Sequence, residues 1–106
     1  GHIAPYLNGE SIAMEGALPL GMIDGADFSV MHFKLKERDK LILMSDGIAE
    51  ATDANGKLFG FERIHDLLRT TQTAAAVATA AQTFGQEDDI SVIAVTRTAA
   101  LTPVPA

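Results

Sequence analysis

Two short acidic stretches carry most of the chemistry in this chain, and each adjoins an apolar run. Asp46-Gly47 follows Leu41-Ile42-Leu43-Met44-Ser45, and Glu87-Asp88-Asp89 precedes Ile90-Ser91-Val92-Ile93-Ala94-Val95. The first run reads as a buried strand and the second as strand-like, so both acidic stretches fall at strand ends, where side chains can face a cleft. Carboxylates gathered at such a place suit hard divalent cations, which take oxygen ligands. Gly47 lets the backbone turn sharply after Asp46. Each half alone has an ordinary explanation: Asp-Gly after a strand is usually a turn, and paired acids before a strand often cap one. Together they point to a metal site, because converging carboxylates repel unless a cation offsets them or one is protonated. If residues 87–89 are extended, their side chains alternate in direction, so at most one of Asp88 and Asp89 faces Asp46.

Other residues able to do chemistry are less persuasive. Gly56 placed at the sixth position of a calcium loop sets Asp53, Asn55 and Glu62 at ligand positions, but the first position would be Ala51, which has no side-chain oxygen. A plain turn at Asp53-Ala54-Asn55-Gly56 followed by a helix start accounts for the segment better. His2, His32 and His65 lack metal-ligand spacing. His65 falls on the polar face of a helix, and His2 reads as an ordinary strand histidine beside a possible cleft. No serine or threonine sits in a nucleophile elbow, and there is no P-loop.

The elements that must position these groups follow from pattern. Ile3 to Leu7 and Ser11 to Met14 flank Asn8-Gly9, a strong hairpin signal. Glu15 to Ala26, with Gly16, Gly21, Gly25 and Pro19, reads as a loop. Phe28 to Leu35 alternates as a strand would, Glu37-Arg38-Asp39 is a polar turn, and Lys40 to Ser45 is the central strand. Ile48 to Ala51 reads as a short helical turn. Phe61, Ile64, Leu67 and Leu68 give Phe61 to Arg69 one apolar helical face. Ala74 to Thr83 has the best helix-forming composition, its alanines serving as a small-residue packing face, and Gly85 ends it. Ser91 to Arg97 is the last strand. Strands, then two helices, then a closing strand predict an α+β fold with a mainly antiparallel sheet.

Composition bounds the function. The 106 residues suffice for one hydrophobic core, and 47% are apolar. With no Cys, thiolate metal sites, disulfides and a cysteine nucleophile are excluded. A net charge of -6 argues against a nucleic-acid partner. No apolar stretch approaches the roughly 20 residues that span a bilayer, so no membrane contact is expected of this segment. A reducing, cytoplasmic setting fits this profile.

Five motifs in order carry a resemblance to a known family. They are Gly1-His2-Ile3-Ala4-Pro5, Leu18-Pro19-Leu20-Gly21, Asp39 to Ala51, Gly56 to Ile64, and Asp88-Asp89-Ile90-Ser91. The chain up to Arg97 resembles the C-terminal half of a bacterial PPM-type serine/threonine phosphatase of the SpoIIE/RsbU branch. Arg38, where a glycine is common, and Ser91, where threonine is usual, are mild departures. The resemblance implies half of an αββα sandwich over residues 1–98, while 99–106, with two prolines and no periodicity, reads as a flexible tail. It also implies a two-metal Mn²⁺ or Mg²⁺ centre that activates water for hydrolysis of phosphoserine or phosphothreonine. By motif, Asp46 matches one metal ligand and Asp88 another, Asp89 stands second to Asp88, and Gly47 makes the supporting turn.

The resemblance further implies a phosphorylated regulatory protein as substrate, of the anti-anti-sigma, STAS-like kind, and hence a part in sigma-factor regulation. A sensory or receiver domain in the same full-length chain would drive the phosphatase. The family's N-terminal half carries an acidic-glycine motif whose aspartate bridges both metals. Because the sequence starts at Gly1 rather than Met, it reads as a piece of a longer protein, and little activity is expected of the piece alone. Exposed sheet edges in such a piece would favour a homo-oligomer, through strand exchange. A non-catalytic, phosphatase-like interaction module is the rival reading.

Overall fold

The computed structural model describes residues 2–12, 24 and 32–99. Four strands, β1 (Tyr6–Leu7), β2 (Glu10–Ser11), β3 (Lys40–Met44) and β4 (Val92–Thr96), form one antiparallel sheet in the order β2-β1-β3-β4. Three helices, α1 (Asp46–Ala49), α2 (Gly60–Leu68) and α3 (Ala74–Gly85), lie between β3 and β4 in the chain. The protein is therefore α+β, with two full helices before its last strand, as its pattern predicts.

The hairpin turn has the backbone its sequence demands. Asn8 and Gly9 both take positive φ, 51° and 87°, the geometry that lets a two-residue turn follow the twist of its strands. Asn8 also ties the turn to β3: its Oδ1 accepts from the Lys40 amide at 3.0 Å and its Nδ2 donates to Asp39 Oδ1 at 3.0 Å. The Asn8 side-chain bond, and after it that from the Lys36 amide, hold the Asp39 carboxyl below the usual carboxylate range. β1 is shorter than Ile3 to Leu7 because Pro5 has no amide to give the ladder. The chain still follows β3 upstream of it: the Ile3 amide reaches the Met44 carbonyl at 3.3 Å, and His2 bridges Ser45.

Two expectations need correction. Residues 32–35 are not strand, while Phe28 to Met31 lie outside the described residues. Alternation supplies an amphipathic segment, but a strand also needs a neighbour to share its hydrogen bonds, and residues 32–35 form no ladder with a described strand. At its end the Arg97 guanidinium donates to the Leu35 carbonyl at 2.5 Å. Within Ser11 to Met14, Ser11 is strand, Ile12 is not, and the rest lies outside the described residues, as do most of the 15–26 loop and of the 99–106 tail. The second correction is Phe61, which is 60% exposed although its spacing places it with the apolar face.

The core lies where one face of β3 meets the helices. Ile42 and Met44 pack with Ile48 of α1, Ile64 and Leu68 of α2, and Val77 and Ala81 of α3. The Phe59 and Phe84 rings meet edge to face, 5.2 Å between centroids. Arg63 closes that corner: its guanidinium lies 4.8 Å from the Phe84 centroid and donates to the Leu58 and Phe59 carbonyls. Thr73 caps α3 by accepting from the Ala76 amide. Gly85 ends the helix at φ 144°, its carbonyl accepting from the Thr52 amide at 2.8 Å; a β-carbon there would run into the Thr52 carbonyl.

Candidate metal centre

β3 and β4 run antiparallel, with Met44 paired to Val92. Beyond that pair, the next residue on one side is Ser45 and on the other is Ser91, and these two form a clamp. The Ser45 amide donates to the Ser91 carbonyl at 2.9 Å, and the Ser91 amide donates to Ser45 Oγ at 2.9 Å. The pairing thus carries the chain to the threshold of both acidic stretches. Asp46 follows the first serine directly, and Asp89 stands two residues before the second.

Gly47 completes the approach. A β-carbon on it would sit 2.5 Å from the Asp89 carbonyl oxygen and 3.1 Å from Ile90 Cγ2. Only a residue without a side chain lets these two backbones pass so closely. The pressure on this glycine is therefore steric, since its φ is not among the positive ones. The chain at Gly47 and the chain at Asp89 thus pass against each other, which brings the two acidic segments into one neighbourhood.

The individual groups differ in setting. Asp46 is half-buried and opens α1, so it begins a helical turn one residue beyond the bridge at Ser45. Its carbonyl accepts from the Glu50 amide at 2.9 Å, which fixes the main chain of that turn. Asp88 is exposed; one of its carboxylate oxygens accepts from the Asp89 amide at 2.8 Å, and its carbonyl accepts from Gln86 Nε2 at 3.0 Å. Asp89 is exposed as well. Among the described residues, no group of three or more His, Asp or Glu comes together to hold an ion. The donor chemistry fits a hard divalent cation, while the number of donors gathered here falls short of a full set.

The remaining candidates resolve differently. Asp53 Oδ1 accepts from the amides of Asn55 and Lys57, both at 2.9 Å, and Gly56 takes φ 79°. That is the plain turn, with the carboxylate oxygen committed to the backbone. His2 is exposed and bridges Ser45, one residue from Asp46, a proximity that strand pairing creates and spacing does not reveal. His65 is half-exposed, with Nε2 3.6 Å from a Glu10 carboxylate oxygen. The serine clamp is the feature sequence reading missed. Its signal was present in two serines at the facing ends of two strand-like runs.

No helix among the described residues is long and apolar enough to cross a membrane. No curated protein and no solved structure matches the chain. A family model does: that described as Stage II sporulation protein E (SpoIIE) matches residues 1–98. With nearly the whole chain covered and its two acidic motifs held side by side, the protein belongs to the SpoIIE family.

Proposed function

We propose that the intact domain is a metal-dependent protein serine/threonine phosphatase. It would act on phosphoserine or phosphothreonine of a regulatory protein of the anti-anti-sigma, STAS-like kind. The SpoIIE family is generally one of PPM-type phosphatases that use Mn²⁺ or Mg²⁺. The observation that carries the reading to this chain is the contact of Gly47 with the Asp89 carbonyl, which sets the two acidic segments against each other. Asp46 and Asp88 would hold the ion, with Asp89 second to Asp88. When bound, the metal supplies a Lewis acid and a water acidic enough to attack phosphorus. The chain's own part is to present carboxylates from a rigid strand end. Further donors come from elsewhere in the full-length protein, together with a sensory or receiver domain that controls it, in the cytoplasm.

The test is hydrolysis of p-nitrophenyl phosphate by the full-length protein with Mn²⁺, alongside calorimetric titration of Mn²⁺. Asp46→Asn and Asp88→Asn are each expected to lower turnover by about 100-fold, because an ion contributing several kcal/mol to the transition state would be lost or displaced. Residues 1–106 alone are expected to show little turnover. A flat Mn²⁺ titration in the full-length protein, with partner binding preserved, would overturn the hydrolase in favour of a non-catalytic interaction module.

A further inference from the structure

A second concave site lies at the opposite edge of the sheet from β4. It is an open groove of about 490 Å³ between β2 and α2, lined chiefly by Tyr6, Glu10, Phe61, Glu62, His65 and Asp66. Its charge is one-sided: three carboxylates face one imidazole, and among the described residues no Lys or Arg lines it. Glu62 and Asp66 are four residues apart on α2 and so share a face, as do Phe61 and His65. Glu10 faces them from β2, 3.6 Å from His65 Nε2.

Tyr6 supplies an independent observation. It is only 5% exposed, and its hydroxyl has no hydrogen-bond partner among the described residues. Yet among the described residues no buried side-chain oxygen or nitrogen lacks a partner. The hydroxyl oxygen therefore keeps its access to solvent, and Tyr6 is one of the residues that line the groove. The Tyr6 ring is packed in the core, while its hydroxyl, reached by solvent and used by no described residue, offers a donor and an acceptor beside the acidic groove. The Phe61 ring, 60% exposed at the groove wall, adds an aromatic face.

We propose that this groove docks an arginine side chain presented by an exposed segment of a partner protein. A guanidinium matches each feature at once. Its fork donates to paired carboxylates and to a phenolic oxygen, and its plane stacks on an aromatic ring. The compact ammonium of lysine would use the carboxylates but not the ring plane as well. The site is independent of the metal reading, since it uses neither Asp46 nor Asp88.

The experiment titrates the ¹⁵N-labelled full chain with the blocked peptide acetyl-Leu-Arg-Leu-amide and with its citrulline counterpart, which keeps the shape and removes the charge. The arginine peptide is expected to shift the amides of Glu10, Glu62, His65 and Asp66. The citrulline peptide should bind about tenfold more weakly, as should the arginine peptide to the Glu62→Gln/Asp66→Asn double variant. Tyr6→Phe keeps the ring in its packing and should weaken binding by about threefold to tenfold. Equal binding of the two peptides, shifts confined to the Glu87–Asp89 stretch, or no shift at millimolar peptide would each overturn the proposal.

Discussion

Two positions show how a single residue's backbone sets this protein's geometry. Gly47 is buried against the Asp89 carbonyl and Ile90 Cγ2, and the nearer of the two is backbone rather than the end of a flexible side chain. Gly47→Ala is expected to cost about 1–3 kcal/mol, the usual range for overpacking, read as a lower urea midpoint. The same variant should weaken Mn²⁺ uptake by the full-length protein, because the two acidic segments must part to admit the methyl group. Arg38 presents the reverse case. It occupies the turn before β3 at φ 71°, a left-handed conformation that a side chain disfavours, while its amide donates to the Arg97 carbonyl at 2.6 Å. Arg38→Gly keeps that hydrogen bond and removes the strain, so it is expected to raise stability by about 0.5–1 kcal/mol in the same assay. The family resemblance marks this position as one where glycine is common, and the backbone angle supplies the reason.

At the scale of elements, α2 shows why spacing alone overstates burial. Phe61, Ile64, Leu67 and Leu68 all fit one helical face, yet the face actually buried is narrower. Ile64 and Leu68 are fully buried, Leu67 is partly buried, and Phe61 turns outward at the helix start. The preceding ring, Phe59, takes the inner place against Phe84 instead. Leu68→Ala is expected to cost about 2–5 kcal/mol, since it empties a closed position, whereas Phe61→Ala should change stability by less than about 1 kcal/mol. Thermal or urea unfolding of the two variants side by side checks the difference. A larger loss for Phe61→Ala would mean that the helix is rotated. Similarly, the four-residue α1 starts where Ser45 is hydrogen-bonded to Ser91 and Gly47 packs against Asp89, rather than where its own residues favour helix.

Over the whole molecule, the sheet is unevenly covered. One face of β3 packs on the helices, whereas residues paired across the other face include Leu43 opposite Ile93 and Leu41 opposite Val95. Ile93 is 56% exposed and Val95 40%, and β4 ends the sheet with no strand beyond it among the described residues. An apolar strand at a sheet edge is a template for pairing with another chain. At rising concentration the chain is expected to associate, and Ile93→Lys should suppress that association while leaving the fold intact. Light scattering on both forms checks this; a clean monomer at high concentration for the native sequence would show that the edge is protected.

Local chemistry determined much of this protein. Asn8-Gly9 specifies its turn because those residues accept positive φ, and the Leu41 to Met44 run specifies a buried strand because it is apolar, short and bounded by turn residues. The alanine-rich α3 follows from propensity and a threonine cap. What depended on the tertiary structure was every relation between distant residues. The Ser45–Ser91 clamp and the passage of Gly47 over Asp89 join positions more than forty residues apart. The failure of residues 32–35 to form a strand and the groove that gathers Glu10 with Asp66 are likewise set by neighbours, not by sequence pattern. Periodicity records which way a side chain can face; only packing decides what stands opposite it.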